Sequence, residues 1–200
     1  YIAYSNDNLG TNSVVAQLLA GKVPVLAASD LYLNEHREYG LSTYSKHSDG
    51  SGVAISSRLR PILNMRPKYR HWLSPSLWQL NADLHLTDWL EEKKIDFDVV
   101  TDEDLHLEGV ELLNRYKCVL TGSHPEYSSE KMLAAYEQYQ LNGGRWIYLG
   151  SDGFYWISEY HPDNPNIIEV RKGEAGTRAW TANPGEYNNA FDGKYGGMWR

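Results

Sequence analysis

The side chains best suited to chemistry follow two apolar runs. Residues 117–120 lead into Thr121-Gly122-Ser123-His124-Pro125-Glu126-Tyr127, and residues 145–149 lead into Gly150-Ser151-Asp152-Gly153-Phe154-Tyr155-Trp156. Each apolar run reads as a strand, so His124, Glu126 and Asp152 stand just past strand ends. Imidazoles and carboxylates so placed serve as general acids and bases or hold a cation. In an open parallel sheet the crevice beyond the carboxyl ends of the strands hosts the site, because the loops there are free to carry function. Simpler roles stand beside these: Glu126 as a cap for the next helix, and His124 as a turn histidine bonded to backbone.

The familiar catalytic signatures are absent. The sequence has no Gly-x-Ser-x-Gly elbow, Walker loop, His-Glu-x-x-His pair or Gly-x-Gly-x-x-Gly turn. Cys118 lies within a strand rather than at its tip, which argues against a cysteine nucleophile. Ser123 is better placed, but nothing marks it as activated, and it reads as a turn residue.

The elements that must position these groups show in the middle of the chain. Ala82, Leu86, Trp89 and Leu90 recur at helical spacing, and the charged run at 91–94 closes that helix. Residues 95–100 read as a strand, Asp102 as the cap of a helix over 105–116, and 117–120 as the next strand. Ser128 caps a third helix with Met132, Leu133, Tyr136 and Tyr139 on one face; Gly143-Gly144 ends it before the strand at 145–149. This β-α-β-α-β order predicts an α/β fold, a three-layer sandwich with a mainly parallel sheet resembling the flavodoxin-like class. Residues 22–27 read as a further strand, and 31–70 as a long polar loop that packs over the sheet edge, ordered by Tyr39, Tyr44 and its glycines. Residues 181–200 read as an irregular, Gly- and Asn-rich tail whose packing partners lie outside the chain.

The chain has 200 residues, 42% hydrophobic and 22% charged, with a net charge of −7. That suits one domain with a full core. Its acidity argues against nucleic acid as a partner, since phosphate binding needs clustered Lys and Arg. No apolar run approaches the ~18 residues of a membrane span. A single cysteine makes a reducing cytoplasm the expected compartment. Tyr1 and the strand-like residues after it read as the start of a segment from something longer.

Several unusual motifs occur together and in order: Leu41-Ser42-Thr43-Tyr44, His47-Ser48-Asp49-Gly50-Ser51-Gly52, Asp83-Leu84-His85, Thr101 through His106, Thr121 through Tyr127, and Gly153-Phe154-Tyr155-Trp156. Together they resemble the large (beta) subunit of N,N-dimethylformamidase over most of residues 1–180. The resemblance implies an iron-dependent hydrolase that converts N,N-dimethylformamide to dimethylamine and formate. It also implies a class I glutamine amidotransferase-like domain lacking the cysteine nucleophile, with a small subunit and further copies of the large subunit as partners. Mononuclear iron, as Fe(III), would be held by two tyrosines and a glutamate, which fall here on Tyr4, Tyr44 and Glu126. Hard ferric iron suits such anionic oxygen donors. It would acidify water or make an amide carbon more electrophilic.

His124, two residues before Glu126, and Asp152, past the next strand end, are the catalytic candidates by position, His124 supporting the iron shell or moving a proton. His47 and Asp49 either orient Tyr44 or stabilise its loop, while His85 and His106 read as structural. Asp152 departs from the family pattern, which has Asn there. An ionised carboxylate only accepts hydrogen bonds where an amide also donates, so a different amide substrate is an open alternative. Trp156 reads as a wall of the pocket. Tyr127, Tyr136, Tyr139, Tyr148 and Tyr155 read as packing residues. Two rivals remain: a non-catalytic interaction or carbohydrate-binding module on the same fold, and a glycosidase-like use of Glu126 with Asp152.

Overall fold

The computed structural model describes the backbone of residues 2–5 and residues 32, 35–59, 77, 79–150, 152–173 and 180–199. The strand predicted at 22–27 and the side chain of Tyr4 lie outside the described residues.

One sheet has the order β3-β1-β4-β6, built from β1 (Ile2–Ser5), β3 (Asp98–Val99), β4 (Tyr116–Leu120) and β6 (Arg145–Ile147). Among the described residues it is mixed, with both parallel and antiparallel pairs. β4 and β6 run parallel, with Cys118 opposite Arg145, whereas β1 is antiparallel to both of its neighbours. The helix joining β4 to β6 is the crossover that a parallel pair requires. β6 ends this sheet, and Ile147, Tyr148 and Leu149 at its tip are exposed.

Helices lie against both faces of β4. Val119 joins the main core with Leu105, Leu113, Met132, Tyr136 and Tyr139. Leu120 and Cys118, one position either side of Val119, instead meet Leu86 and Leu90 of α1 (Leu80–Glu92). The period of two in a strand sends alternate side chains to opposite layers. In α4 (Glu130–Leu141) the buried residues Met132, Ala135, Tyr136 and Tyr139 form the inward stripe, and Leu133 is only half-buried. The Tyr139 hydroxyl donates to the carbonyls of Tyr116 and Arg145, at 3.1 and 3.3 Å, tying the helix to β4 and β6.

Both later helix starts are shifted one residue from the sequence reading. Thr101, not Asp102, caps α2 (Asp102–Glu108): its hydroxyl accepts from Asp104 N, while Asp104 Oδ2 accepts from Thr101 N. Ser129, not Ser128, caps α4 by accepting from Met132 N, because Ser128 is already in β5 (Tyr127–Ser128). The helix predicted over 105–116 is broken at Gly109, whose φ of 63° suits glycine, and resumes as the short α3 (Val110–Leu113).

A second sheet, order β2-β9-β8, goes beyond the sequence reading: β2 (Ile55–Ser57), β8 (Glu159–His161) and β9 (Asn164–Glu169). Through β2 the long polar loop pairs antiparallel with β9, Ile55 opposite Glu169. The described residues of the tail, 181–199, pack against the rest of the chain. Fully buried Glu169 accepts from Arg171 Nε and from the backbone N–H groups of Ala190 and Phe191. Trp199 N donates to Tyr155 O, and Trp199 Nε1 to Ser128 O. Among the described residues no helix is long and apolar enough to cross a membrane.

Candidate active site

Backbone bonds join the two strand-end loops before their side chains meet. Thr121 N donates to Ile147 O at 3.0 Å, and Thr121 Oγ1 accepts from Leu149 N at 2.7 Å. Pro125 O accepts from Phe154 N at 2.8 Å, and Glu126 O accepts from both Tyr155 N and Trp156 N. β5 then pairs in parallel with β7 (Trp156–Ile157), Tyr127 opposite Trp156. Gly150 permits this approach, since a Cβ there would lie 2.2 Å from the Pro125 ring. Asp152 and Phe154 both have left-handed backbone, φ 49° and 55°. Aspartate tolerates that region, but phenylalanine enters it only when its surroundings demand it. Here the Phe154 ring is fixed against Tyr136 and Trp146.

The joined loops bring three of the expected groups together. His124 Nε2 lies 3.3 Å from Glu126 Oε2 and 3.4 Å from Asp152 Oδ2. His124 and Glu126 are buried, whereas the Asp152 side chain is 62% exposed. The other Glu126 oxygen accepts from Trp156 Nε1 at 2.9 Å. Each carboxylate oxygen offers two lone pairs, so each keeps one for a further partner.

Tyr44 enters from the polar loop. Its backbone N donates to Ser42 Oγ, and the carbonyl of fully buried Thr43 accepts from Trp180 Nε1 at 3.2 Å. The Tyr44 hydroxyl meets that of Tyr127 at 3.2 Å, across 83 positions of sequence. Lys172 Nζ donates to the Tyr127 hydroxyl at 2.5 Å. The same ammonium stands 3.9 Å from the centre of the Tyr44 ring and 4.5 Å from those of Tyr127 and Trp156, an aromatic cage of the kind that attracts cations.

Burial dominates the proton equilibria of this cage. It pushes the Lys172 ammonium down to about 7, against a smaller upward pull from the Glu126 charge. It raises the Tyr44 phenol well above the ordinary value, and the Glu126 and Asp152 charges add to that rise against the bond from Tyr127. Tyr127 is raised for the same chief reason. Both phenols therefore hold their protons until a stronger positive charge competes.

Of the expected metal ligands, Tyr44 and Glu126 border the same cluster, Tyr44 through the Tyr127 hydroxyl and Glu126 through Trp156 Nε1. The backbone of Tyr4 is in β1 opposite Cys118, and its side chain lies outside the described residues. Among the described residues no three His, Cys, Asp or Glu side chains converge as a metal group. The donors named from the sequence are of another kind, two phenols and one carboxylate. The described pair fits a hard cation: both donors are oxygens, Glu126 retains lone pairs, and its charge reaches the Tyr44 phenol.

Asp49 stabilises its loop, since its Oδ1 accepts from Ser51 N and Oγ. His47 and His85 are exposed. His106 is buried against Ser129, its Nδ1 2.8 Å from Ser129 Oγ. Trp156, read from the sequence as a wall of the pocket, is buried in the main core, its ring against Lys172 and its Nε1 donating to Glu126. Tyr127 packs in the main core as expected, and its hydroxyl also links Tyr44 to Lys172. Lys172 itself had no signal in the sequence, because it follows β9, whose partner β2 is more than a hundred positions away.

The whole chain, residues 1–200, matches the family model described as N,N-dimethylformamidase beta subunit-like, C-terminal. It is 48% identical over 201 aligned residues to the N,N-dimethylformamidase beta subunit of Alcaligenes sp, and 48% identical to that of Paracoccus aminophilus. Each alignment covers 100% of this chain and 26% of the relative, so the chain spans about a quarter of their length.

Proposed function

Because this chain belongs to the N,N-dimethylformamidase beta subunit-like, C-terminal family, we propose that it carries the reactive site of an amidohydrolase. The substrate is a small N-substituted amide such as N,N-dimethylformamide, cleaved to an amine and a carboxylic acid, in that case dimethylamine and formate. The observation that carries this reading is the meeting of His124 with Glu126 and Asp152, next to a Tyr44 phenol whose proton feels the Glu126 charge.

Tyr44 and Glu126, with Tyr4, would hold a ferric ion. When bound, it supplies Lewis acidity to an amide carbonyl or to water. The chain's own residues do the rest. Hydrolysis adds water's oxygen to the carbonyl carbon, breaks the C–N bond and delivers a proton to the departing nitrogen. His124 Nε2, between two carboxylates, is placed to hold that proton and hand it over. Asp152, at the exposed side, accepts hydrogen bonds and selects the substrate. The half-buried Tyr44 ring offers apolar surface for a methylated substrate, and Lys172 fixes Tyr44 through Tyr127.

The proposal extends to the whole: a layered fold of the glutamine amidotransferase kind, supported by the parallel β4 and β6 with helices on both faces; a small subunit and further large subunits as partners, supported by the relatives being named beta subunits; and a cytoplasmic setting, supported by a free single cysteine. Elemental analysis and a visible spectrum of the full-length protein, with an amide panel before and after iron removal, test it. Iron with a tyrosinate charge-transfer band and iron-dependent amide cleavage are expected. Colourless iron-loaded protein would overturn the phenolate ligands. Cleavage surviving complete iron removal would overturn the cofactor.

A further inference from the structure

We infer that Asp83 is a positioning residue that acts through Ser123 to fix the loop presenting His124 and Glu126. This rests on the hydrolase reading only for what the loop does chemically; the geometry stands by itself. Asp83 is in the first turn of α1 and 2% exposed. Its Oδ1 accepts two hydrogen bonds from one residue, Ser123 N at 2.6 Å and Ser123 Oγ at 2.6 Å. Charge-assisted bonds of that length are among the stronger ones in proteins. Gly122 is shaped around the same carboxylate: a Cβ there would lie 2.9 Å from Asp83 Oδ2 and 3.1 Å from Oδ1. The carboxylate and the loop backbone are thus in direct contact, with no room for a side chain between them.

The loop is anchored at three points along its length. Thr121 is tied to β6 and its tip. Glu126 is tied to Trp156 by backbone and by side chain. Ser123 stands midway, and Asp83 is the anchor reaching it from the helix on the other face of the sheet. His124 is the next residue. It must place one nitrogen 3.3 Å from Glu126 and 3.4 Å from Asp152, so a loop free to shift at Ser123 would move His124 away from both. The hydroxyl of Ser123, read from the sequence as a turn residue, is committed as a donor to Asp83.

The test uses the full-length protein and three readouts: kcat and KM on the amide panel, the melting temperature, and the indole N–H resonance of Trp156, assigned through Trp156→Phe. That resonance reports the bond to Glu126 without any need for catalysis. Ser123→Ala is the main variant because it removes one donor from the site side and leaves α1 intact. It should lower kcat by up to about a hundredfold, the cost of an ångström-scale misplacement, with KM and melting temperature little changed and the indole resonance moved. Ser123→Thr keeps both donors and restores the wild-type values. Asp83→Asn, which keeps an acceptor but loses the charge, falls between.

Wild-type kcat together with an unmoved resonance in Ser123→Ala overturns the inference. So does a loss of kcat with an unmoved resonance, which would give Ser123 a direct chemical role instead. If the resonance moves but the wild-type protein holds no iron and cleaves no amide, the positioning role stands and the hydrolase reading fails.

Discussion

Glu126 is bound on one oxygen by an indole and faces an imidazole on the other, so removing its carboxylate disturbs three residues at once. Glu126→Ala is expected to lose iron and activity together. Losing even an outer partner of a metal typically costs 10–100-fold in affinity or activity, so at least about a hundredfold is expected here. Normal iron content in the purified variant, by elemental analysis, would remove Glu126 from the ligand set. Asp152→Asn asks a narrower question. Asparagine accepts the left-handed backbone as readily as aspartate but adds a donor, so the fold should hold while the relative rates across an amide panel change. Identical relative rates would show that the carboxylate selects nothing. Tyr44 was singled out only through the family resemblance, because one loop tyrosine among the chain's 15 carries no local mark that sets it apart. Lys172 was not legible at all, since what makes it unusual is the three rings around it.

Helix α4 could be read from the chain because it writes its own stripe: Met132, Ala135, Tyr136 and Tyr139 are spaced to face one way whatever lies opposite. The stripe read for α1 is only partly present: Leu90 is buried, but Trp89 is exposed, and the polar Asn81 and Asp83 are buried in its place. The strand-end loops were legible for a related reason, an apolar run followed by Gly, Ser, His and carboxylate. Strands β2, β8 and β9 were not. Each is short, and the pairing of Ile55 with Glu169 is decided across more than a hundred positions, where local propensity carries no information. The cap of α4 makes the element scale testable. Ser129 Oγ both accepts from Met132 N and meets the Nδ1 of buried His106. Ser129→Ala should lose the cap, about 1 kcal/mol, and leave a buried imidazole nitrogen short of a partner, for a total on the order of 1–3 kcal/mol. A urea midpoint unchanged from wild type would refute this.

Over the whole molecule, stability should depend on pH through His106. Burial first, then the Lys131 charge, pushes its imidazole down to about 4. The unfolded chain takes up that proton near the ordinary value of about 6.5. Between those limits the unfolded state binds more protons, so this contribution is complete above about pH 6.5 and disappears as pH falls through about 4. Urea midpoints between pH 7 and 4 should fall less steeply for His106→Asn than for wild type, and parallel curves would contradict the assignment. At this scale too the molecule resolves a conflict between rigidity and use. Asp152 and Phe154 hold a backbone shape that glycine adopts freely; it costs phenylalanine strain on the order of 1–3 kcal/mol, and aspartate, which tolerates the region, less. A laboratory selection for heat resistance alone would therefore favour glycine at 152. The survivors would be tougher proteins that had discarded the carboxylate beside His124.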